Sequence, residues 1–334
     1  TSVVIIVGLI VLNIIGGKSG ARIDESLRKS IAVLPFHNFS GDPDQDYMCE
    51  GLTDEIISHL FKVQSFDEVR SLTSVLPFKD SEQSINEIAQ KLHVTYILEG
   101  SYKRMGKELK ITAQLIESTS DKHIWLNDYE LPYREIPGIP GEIAMQIANH
   151  LKAFVSEEVP SSIGKMPTDN VEAYELIQQA IRLHNSGLFS NRFQVRDLAE
   201  RAIELDPDYA NAYAIIGMSH LMEGIYWGDK EMRSVAWEAE RYTAKALEID
   251  PYNLMANLVI ATINFWVKWD YAEVFKIKSK FPNIRESEIF NKYAEQEFYL
   301  QMGEYETVIN LLKEDYYSTQ AIKTYVLLGD TAQA

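Results

Sequence analysis

Seventeen residues at the start of the chain, TSVVIIVGLIVLNIIGG, carry no charged side chain; the first charge is Lys18. The run follows neither the period of a half-buried strand nor that of an amphipathic helix. Its length approaches the roughly 20 helical residues that cross a hydrocarbon core. It predicts a transmembrane helix over residues 1–17 and a linker over 18–29. A buried strand is the first rival reading, but strands are rarely this long. A signal peptide is the second, and it needs a basic leader and a small-residue cleavage site, neither of which is visible. Lys18, Arg22, Arg28 and Lys29 outnumber Asp24 and Glu25 in the flank, which favours a cytoplasmic side for the chain beyond residue 17.

From residue 30 the pattern alternates between two periods. SIAVLPF is apolar at Ile31, Val33 and Leu34 and predicts a strand closed by Pro35. After the turn-forming NFSGDPDQD, Leu52, Ile56 and Leu60 recur at helical spacing, with Ile57 widening the stripe. FDEVRSLTSVLPF predicts a second short strand. SINEIAQKLHV predicts a helix with Ile85, Ile88, Ala89 and Leu92 on one face, and Ser84 with Glu87 form a capping box at its start. TYILEGSYKRM and KELKITAQLIES predict a hairpin turning at Gly106 and Lys107. In its second strand Ile111, Ala113 and Leu115 alternate with Lys110, Thr112 and Gln114. HIWLNDYEL adds a strand. GEIAMQIANHLKAFV adds a helix striped by Ile143, Ile147 and Leu151, its start delayed by Pro137, Gly138 and Pro140. Together these elements make an α/β domain over residues 30–158.

Six acids crowd the stretch SGDPDQDYMCEGLTDE: Asp42, Asp44, Asp46, Glu50, Asp54 and Glu55. A calcium-binding EF-hand loop starting at Asp42 needs Gly at its sixth position and Glu at its twelfth. Tyr47 and Thr53 stand there instead. Helix capping is the better reading: Asp44 or Asp46 accepts hydrogen bonds from the free amides of the first turn, and the other acids lie near the positive end of the helix dipole.

Beyond a polar linker over 159–169, within SEEVPSSIGKMPTDN, the period is helical throughout residues 170–334. AERAIELDPDYANAYAIIG and TAKALEIDPYNLMANLVIA are one unit written twice, with Pro207 and Pro251 in register, 44 residues apart (251 minus 207). Ala202 and Ala246 occupy the slots of close helix approach, Tyr213 a large aromatic slot and Gly217 a small one. YAEQEFYLQMGEYETVINLLKED reads as a third unit, and TYVLLGDTAQA opens another that is cut short.

Chemistry is sparse. The net charge of -17 from 49 acids and 32 bases argues against a nucleic-acid contact by this segment. One cysteine, Cys49, permits neither an internal disulfide nor a cysteine zinc site. The seven histidines form no metal-binding spacing, and no phosphate-binding loop or nucleophile elbow is present. His37, just past the first strand, and Cys49, beside apolar helix positions, are the only residues that invite a catalytic reading, and neither has a partner named by the sequence. The expectation is a chain with no enzymatic activity and no catalytic, cofactor-binding or metal-binding residues.

The blocks IAVLPFHNFSGDPDQDYMCEGLTDEIISHL, IAQKLHVTYILEGSYKR, LKITAQLIESTSDKHIWLNDYE and GEIAMQIANHL resemble, in order, the TolB-like amino-terminal domain, related to the FlgO-type domain. REIPGIPGEIA departs from it, because the family more often has an aspartate and a glutamine before its last helix. The repeated helical units resemble tetratricopeptide (TPR) repeats; such a unit is about 34 residues, so the 44-residue copy implies an insertion of about ten. That insertion would lie around EGIYWGDKEMRS. The fold class implied is a mixed-sheet TolB-like α/β domain plus an all-α TPR superhelix behind a transmembrane helix.

The resemblance implies an accessory domain without known catalytic residues. In similar bacterial proteins it follows a transmembrane helix and precedes TPR repeats, beside a DNA-binding domain as in CadC-like regulators, or beside a nucleotide cyclase. The expectation is therefore a membrane-anchored sensory and protein-interaction region of a signalling or transcription-regulatory protein. Alternatives are an accessory region of an adenylate or guanylate cyclase, or an envelope assembly protein. The location implied is the bacterial inner membrane, with a single pass; the family favours an extracytoplasmic soluble part. Partners would be proteins bound through the concave groove of the repeats, with Tyr226, Trp227, Phe265, Trp266 and Trp269 as candidate contacts and packing as the competing role for each.

Overall fold

The computed structural model describes residues 27–151, 163–227 and 232–283. The expected transmembrane helix, at 1–17, and the third and fourth helical units lie outside them. Among the described residues no helix is long and apolar enough to cross a membrane.

The sheet is mixed. Strand β1 (Ser30–Val33) lies parallel to β3 (Glu68–Val69) on one side and to β4 (Tyr96–Met105) on the other. Two-residue β2 (His37–Asn38) continues beside the far half of β4. β4, β5 (Glu108–Glu117) and β6 (Lys122–Pro132) form an antiparallel meander. The hairpin turns where expected, with Gly106 in the left-handed region at φ +67°. Period two in β5 sends Leu109, Ile111, Ala113 and Leu115 into the core, each at most 1% exposed. Gly100 in β4 permits a close approach: a Cβ there would lie 2.3 Å from the Phe36 ring and 2.4 Å from the Thr112 carbonyl oxygen.

Helix α1 (Asp46–Phe61) packs on this sheet. FDEVRSLTSVLPF, expected as a strand, pairs only at Glu68 and Val69. It then turns into the one-turn helix α2 (Leu72–Val75) and a 3-10 turn that contains Pro77. Proline and the run of small hydroxyl residues break the β period there. Helix α3 (Ile85–Leu92) starts with the expected capping box, both of its reciprocal bonds present. Helix α4 (Ile139–His150) begins late, after a 3-10 turn, with Pro140 in its first turn.

The acids around residue 42 work differently from the expected cap. The side chain of Asp42 accepts from the Asp44 amide and caps a 3-10 turn ahead of α1. Asp46 is the first residue of α1 and caps nothing. It accepts from the Asn38 amide group at 2.8 Å, and with Glu50 it pairs with Lys79 at 3.3 and 3.1 Å.

The helical part comprises α5 (Val171–Asn185), α6 (Arg192–Leu205), α7 (Ala210–Trp227), α8 (Met232–Ile249), α9 (Leu254–Ile263) and α10 (Tyr271–Lys280). The two copies of the repeated unit share their turn chemistry. Asp206 and Asp250 each accept from the amide two residues on. The Tyr213 hydroxyl donates to the Pro207 carbonyl at 3.1 Å, and the Asn257 amide group, at the matching position, donates to the Pro251 carbonyl at 3.1 Å. Ala202 and Ala246 are fully buried. A Cβ on Gly217 would meet Thr243 at 2.6 Å, so glycine sets the α7–α8 spacing. In the segment expected to carry an insertion, α7 runs on to Trp227 and α8 starts at Met232.

One hydrophobic core runs through both halves, from Ile31 to Ile216 and Phe281. The polar linker expected over 159–169 is packed in its described part. Ile163 and Thr168 are buried, Thr168 donates to Asp206 at 2.5 Å, and Gly164 lies so close to α4 that a Cβ on Gly141 would sit 2.7 Å from its Cα. A protease that cuts between residues 156 and 162 should therefore give two bands on a denaturing gel but a single peak in gel filtration. Separation of the fragments in buffer would show that the shared core contributes little.

Candidate functional site

Two surfaces carry unusual side chains: the aromatic end of the helical array and the seam between α1 and that array.

At the aromatic end, α9 passes into a π-helical turn over Asn264–Lys268, and Trp269 closes it in the left-handed conformation at φ 57° and ψ 31°. A bulky side chain there is an outlier, and π-turns concentrate at functional positions. Phe265, a candidate contact by sequence, is 2% exposed. Its ring meets Trp266 edge-on at 5.0 Å and Tyr271 at 5.4 Å, so it is a packing residue that supports its neighbours. Trp266 and Trp269 are 43% and 63% exposed and, among the candidates whose side chains are described, are the two that reach solvent. Lys268, between them, pairs with Glu240 of α8. Tyr226 and Trp227 end α7, and their side chains lie outside the described residues.

The seam is not legible in the sequence as a site. On a second face of α1, adjoining that of Leu52, Ile56 and Leu60, lie Gly51, Glu55, His59 and Lys62. Glu55 is 4% exposed and accepts three hydrogen bonds from the array: from the Tyr174 hydroxyl at 2.9 Å, the Gln178 amide at 2.9 Å and the Asn211 amide at 3.5 Å. Asn253, which caps α9, donates in turn to Asn211 at 2.6 Å. Lys62 pairs with Asp250 at 3.1 Å, with both side chains largely buried. Asn283, just past α10, donates to the carbonyls of Leu60 and Val63 and accepts from the Val69 amide. A second grip holds Glu175 of α5, which accepts from Tyr133 at 2.6 Å and pairs with Arg104 at 3.1 Å.

Burial controls the protonation of this seam. It pushes the Glu55 carboxyl up to about 8, against the hydrogen bonds from Tyr174 and Gln178, and half-buried Asp54 up to about 6. His59 is held neutral, pushed down to about 3 by burial and then by Lys62. A cavity of about 90 Å³ lies here, lined by Asp54, His59, Lys62, Lys165 and Asn211 among others. Elsewhere burial pushes the Cys49 thiol up to about 12, which removes the thiolate a nucleophile needs. His37 is half-exposed on the sheet, 3.4 Å from Asp80, and lines none of the three cavities described.

The sequence signal for the seam is an acid and a glycine four residues apart within an apolar helix. By pattern alone it reads as charge near the helix start. Nothing in the α1 sequence names Tyr174, Gln178 or Asn211 as partners more than 100 residues away.

A model of the second domain of HilA/YgeH-like transcriptional regulators matches residues 27–135. A curated relative from Rhizobium meliloti (strain 1021), named "Putative adenylate cyclase 3", is 30% identical over 247 residues, which is 72% of this chain and 41% of that protein. The chain thus spans less than half the length of this relative. Among solved structures, a PelC dodecamer from Paraburkholderia phytofirmans is 15% identical, covers 37% of this chain and 88% of its own, and has a TM-score of 0.26, too low to carry an argument. The sheet-bearing part of the chain is similar to a regulator-type domain.

Proposed function

We propose that this chain is the non-catalytic regulatory region of a signalling or transcription-regulatory protein, with its helical array as the scaffold that recruits a protein partner. The match of residues 27–135 to a transcriptional-regulator domain carries this reading. The TPR-like turn chemistry around Pro207 and Pro251 supports the scaffold role, because repeats of this kind offer extended surfaces to other proteins. Residues 1–17 tether the chain to the bacterial inner membrane in this reading, on the strength of their chargeless run. A second reading, an accessory region of a nucleotide cyclase, draws on the 30% identity to the cyclase-named relative.

The partner contact falls on Trp266 and Trp269, since exposed tryptophans often dominate a protein interface and these two are held together by the π-turn, whereas Trp237 of α8, as exposed as Trp269, stands outside that turn. In the full-length protein, replacing both by Ala should abolish the regulatory output while the melting temperature of the purified chain changes little. Transcript level of the regulated gene reads the output in the first case, cyclic nucleotide in the second. Unchanged output in both assays would place the partner elsewhere. Turnover of a nucleotide by this chain alone, lost on His37→Ala or Cys49→Ala, would overturn the non-catalytic reading.

A further inference from the structure

The array grips α1 along its length, and in order. Gly51 meets Gln178 of α5. Glu55 meets Tyr174 and Gln178 of α5 and Asn211 of α7, Lys62 meets Asp250 before α9, and the carbonyls of Leu60 and Val63 meet Asn283 after α10. Successive helical units thus read successive turns of one helix. Recognition is specific on both sides. A Cβ at position 51 would fall 1.8 Å from Gln178 Oε1, and Gln178 cannot retreat because it is fully buried and bonded to Glu55. The donors at Glu55 are two amides and a hydroxyl, suited to one acceptor group and to no apolar side chain. Met48, Leu52 and Ile56, on the adjoining face of α1, are buried in the core shared by both halves, and α1 lies between β2 and β3 in the chain, so the α/β half presents it to the array as a formed helix.

We propose that this face of the array is a helix-binding seat, occupied in cis by α1. Its trans partner is an amphipathic helix of the same chemistry: a glycine, an acid four residues later and a base seven residues after that. This rests on the reading of the array as a protein-binding scaffold and adds a second face to the exposed tryptophans. A partner helix gains access only when the array swings off α1, so α1 acts as an internal competitor. The ligand arrives pre-folded in cis at high effective concentration, which keeps the seat closed in the resting chain.

The test uses the full chain and a fluorescent peptide of residues 46–62, with anisotropy as the readout. Wild-type chain should not bind the peptide. Gly51→Leu in the chain drives the array off its own α1 without touching the seat, and should raise peptide affinity at least about tenfold. A peptide carrying Glu55→Lys should bind neither chain. Lys62→Ala, which removes one contact and adds no bulk, should give intermediate binding. Three results would overturn the proposal. The first is no peptide binding by a Gly51→Leu chain that keeps its helical circular dichroism. The second is a Gly51→Leu chain whose helices melt, since α1 would then be part of the core of the array and not an occupant of it. The third is equal binding of the Glu55→Lys peptide. None of these touches the Trp266 and Trp269 output assay, so the scaffold reading stands or falls separately.

Discussion

Raising the pH from about 6.5 to 9 should destabilise the chain by about 2 kcal/mol, and Glu55→Gln should remove most of the loss. Glu55 is buried at the seam, and burial raises its carboxyl from 4.5 to about 8. The folded state therefore holds this proton more tightly than the unfolded state. The stability it confers is fully present below the unfolded value of 4.5 and is lost as pH rises through about 8. Two neighbours shape the acid side. Asp54, raised to about 6, acts in the same direction as Glu55. His59, lowered to about 3, acts oppositely: stability falls as pH drops below the unfolded histidine value of 6.5. Above about 7.5 both Asp54 and the unfolded histidine are deprotonated, so of these three only Glu55 still changes, which makes the upper part of the window diagnostic. Glu55→Gln suits the site: its oxygen can accept from Gln178 and Asn211, and its amide can donate to the Tyr174 hydroxyl. Thermal melts across the window decide the matter. A wild-type curve that is flat above pH 6.5 would mean that Glu55 is ionised in the fold and that its three donors outweigh its burial.

The elements that sequence pattern locates are those whose period is set locally. The β4–β5 hairpin follows from alternation at Ile111, Ala113 and Leu115 plus one glycine; the α3 cap follows from Ser84 and Glu87, three residues apart. The turns at Pro207 and Pro251 follow from their repetition. Pattern fails where tertiary partners decide. Asp46 looks like a cap until Asn38 and Lys79 claim it. SLTSVLPF looks extended, yet Leu72 and Val75 are buried from a single helical turn. Glu55 looks like surface charge, because the apolar stripe gives α1 one buried face when it has two. A helix buried on both sides shows polar residues on its second face only if their partners lie on that side, and here those partners are supplied by α5 and α7. The aromatic cluster is legible as a group, but Phe265 and Trp266 are adjacent and identical in pattern. Only the π-turn separates the ring that points inward from the one that points out.

That separation gives the other large effect. Phe265→Ala should cost about 3–5 kcal/mol, as expected for removing a fully packed aromatic side chain. Its ring supports Trp266 at 5.0 Å and Tyr271 at 5.4 Å, and Tyr271 in turn meets Trp269 at 6.4 Å. Deleting it removes the ring that backs Trp266 directly and Trp269 through Tyr271. Trp269→Gly should behave in the opposite sense. It removes a side chain that is 63% exposed and relieves a left-handed backbone that costs a non-glycine residue roughly 1 kcal/mol, so stability should hold or rise slightly. A strained, exposed tryptophan that could be replaced at no cost to the fold has its reason outside the fold, which is why it is assigned to the partner contact. Denaturant melts of the two variants test the assignment directly. If Trp269→Gly is as damaging as Phe265→Ala, Trp269 is a packing residue and the aromatic end of the array is not the recruiting surface.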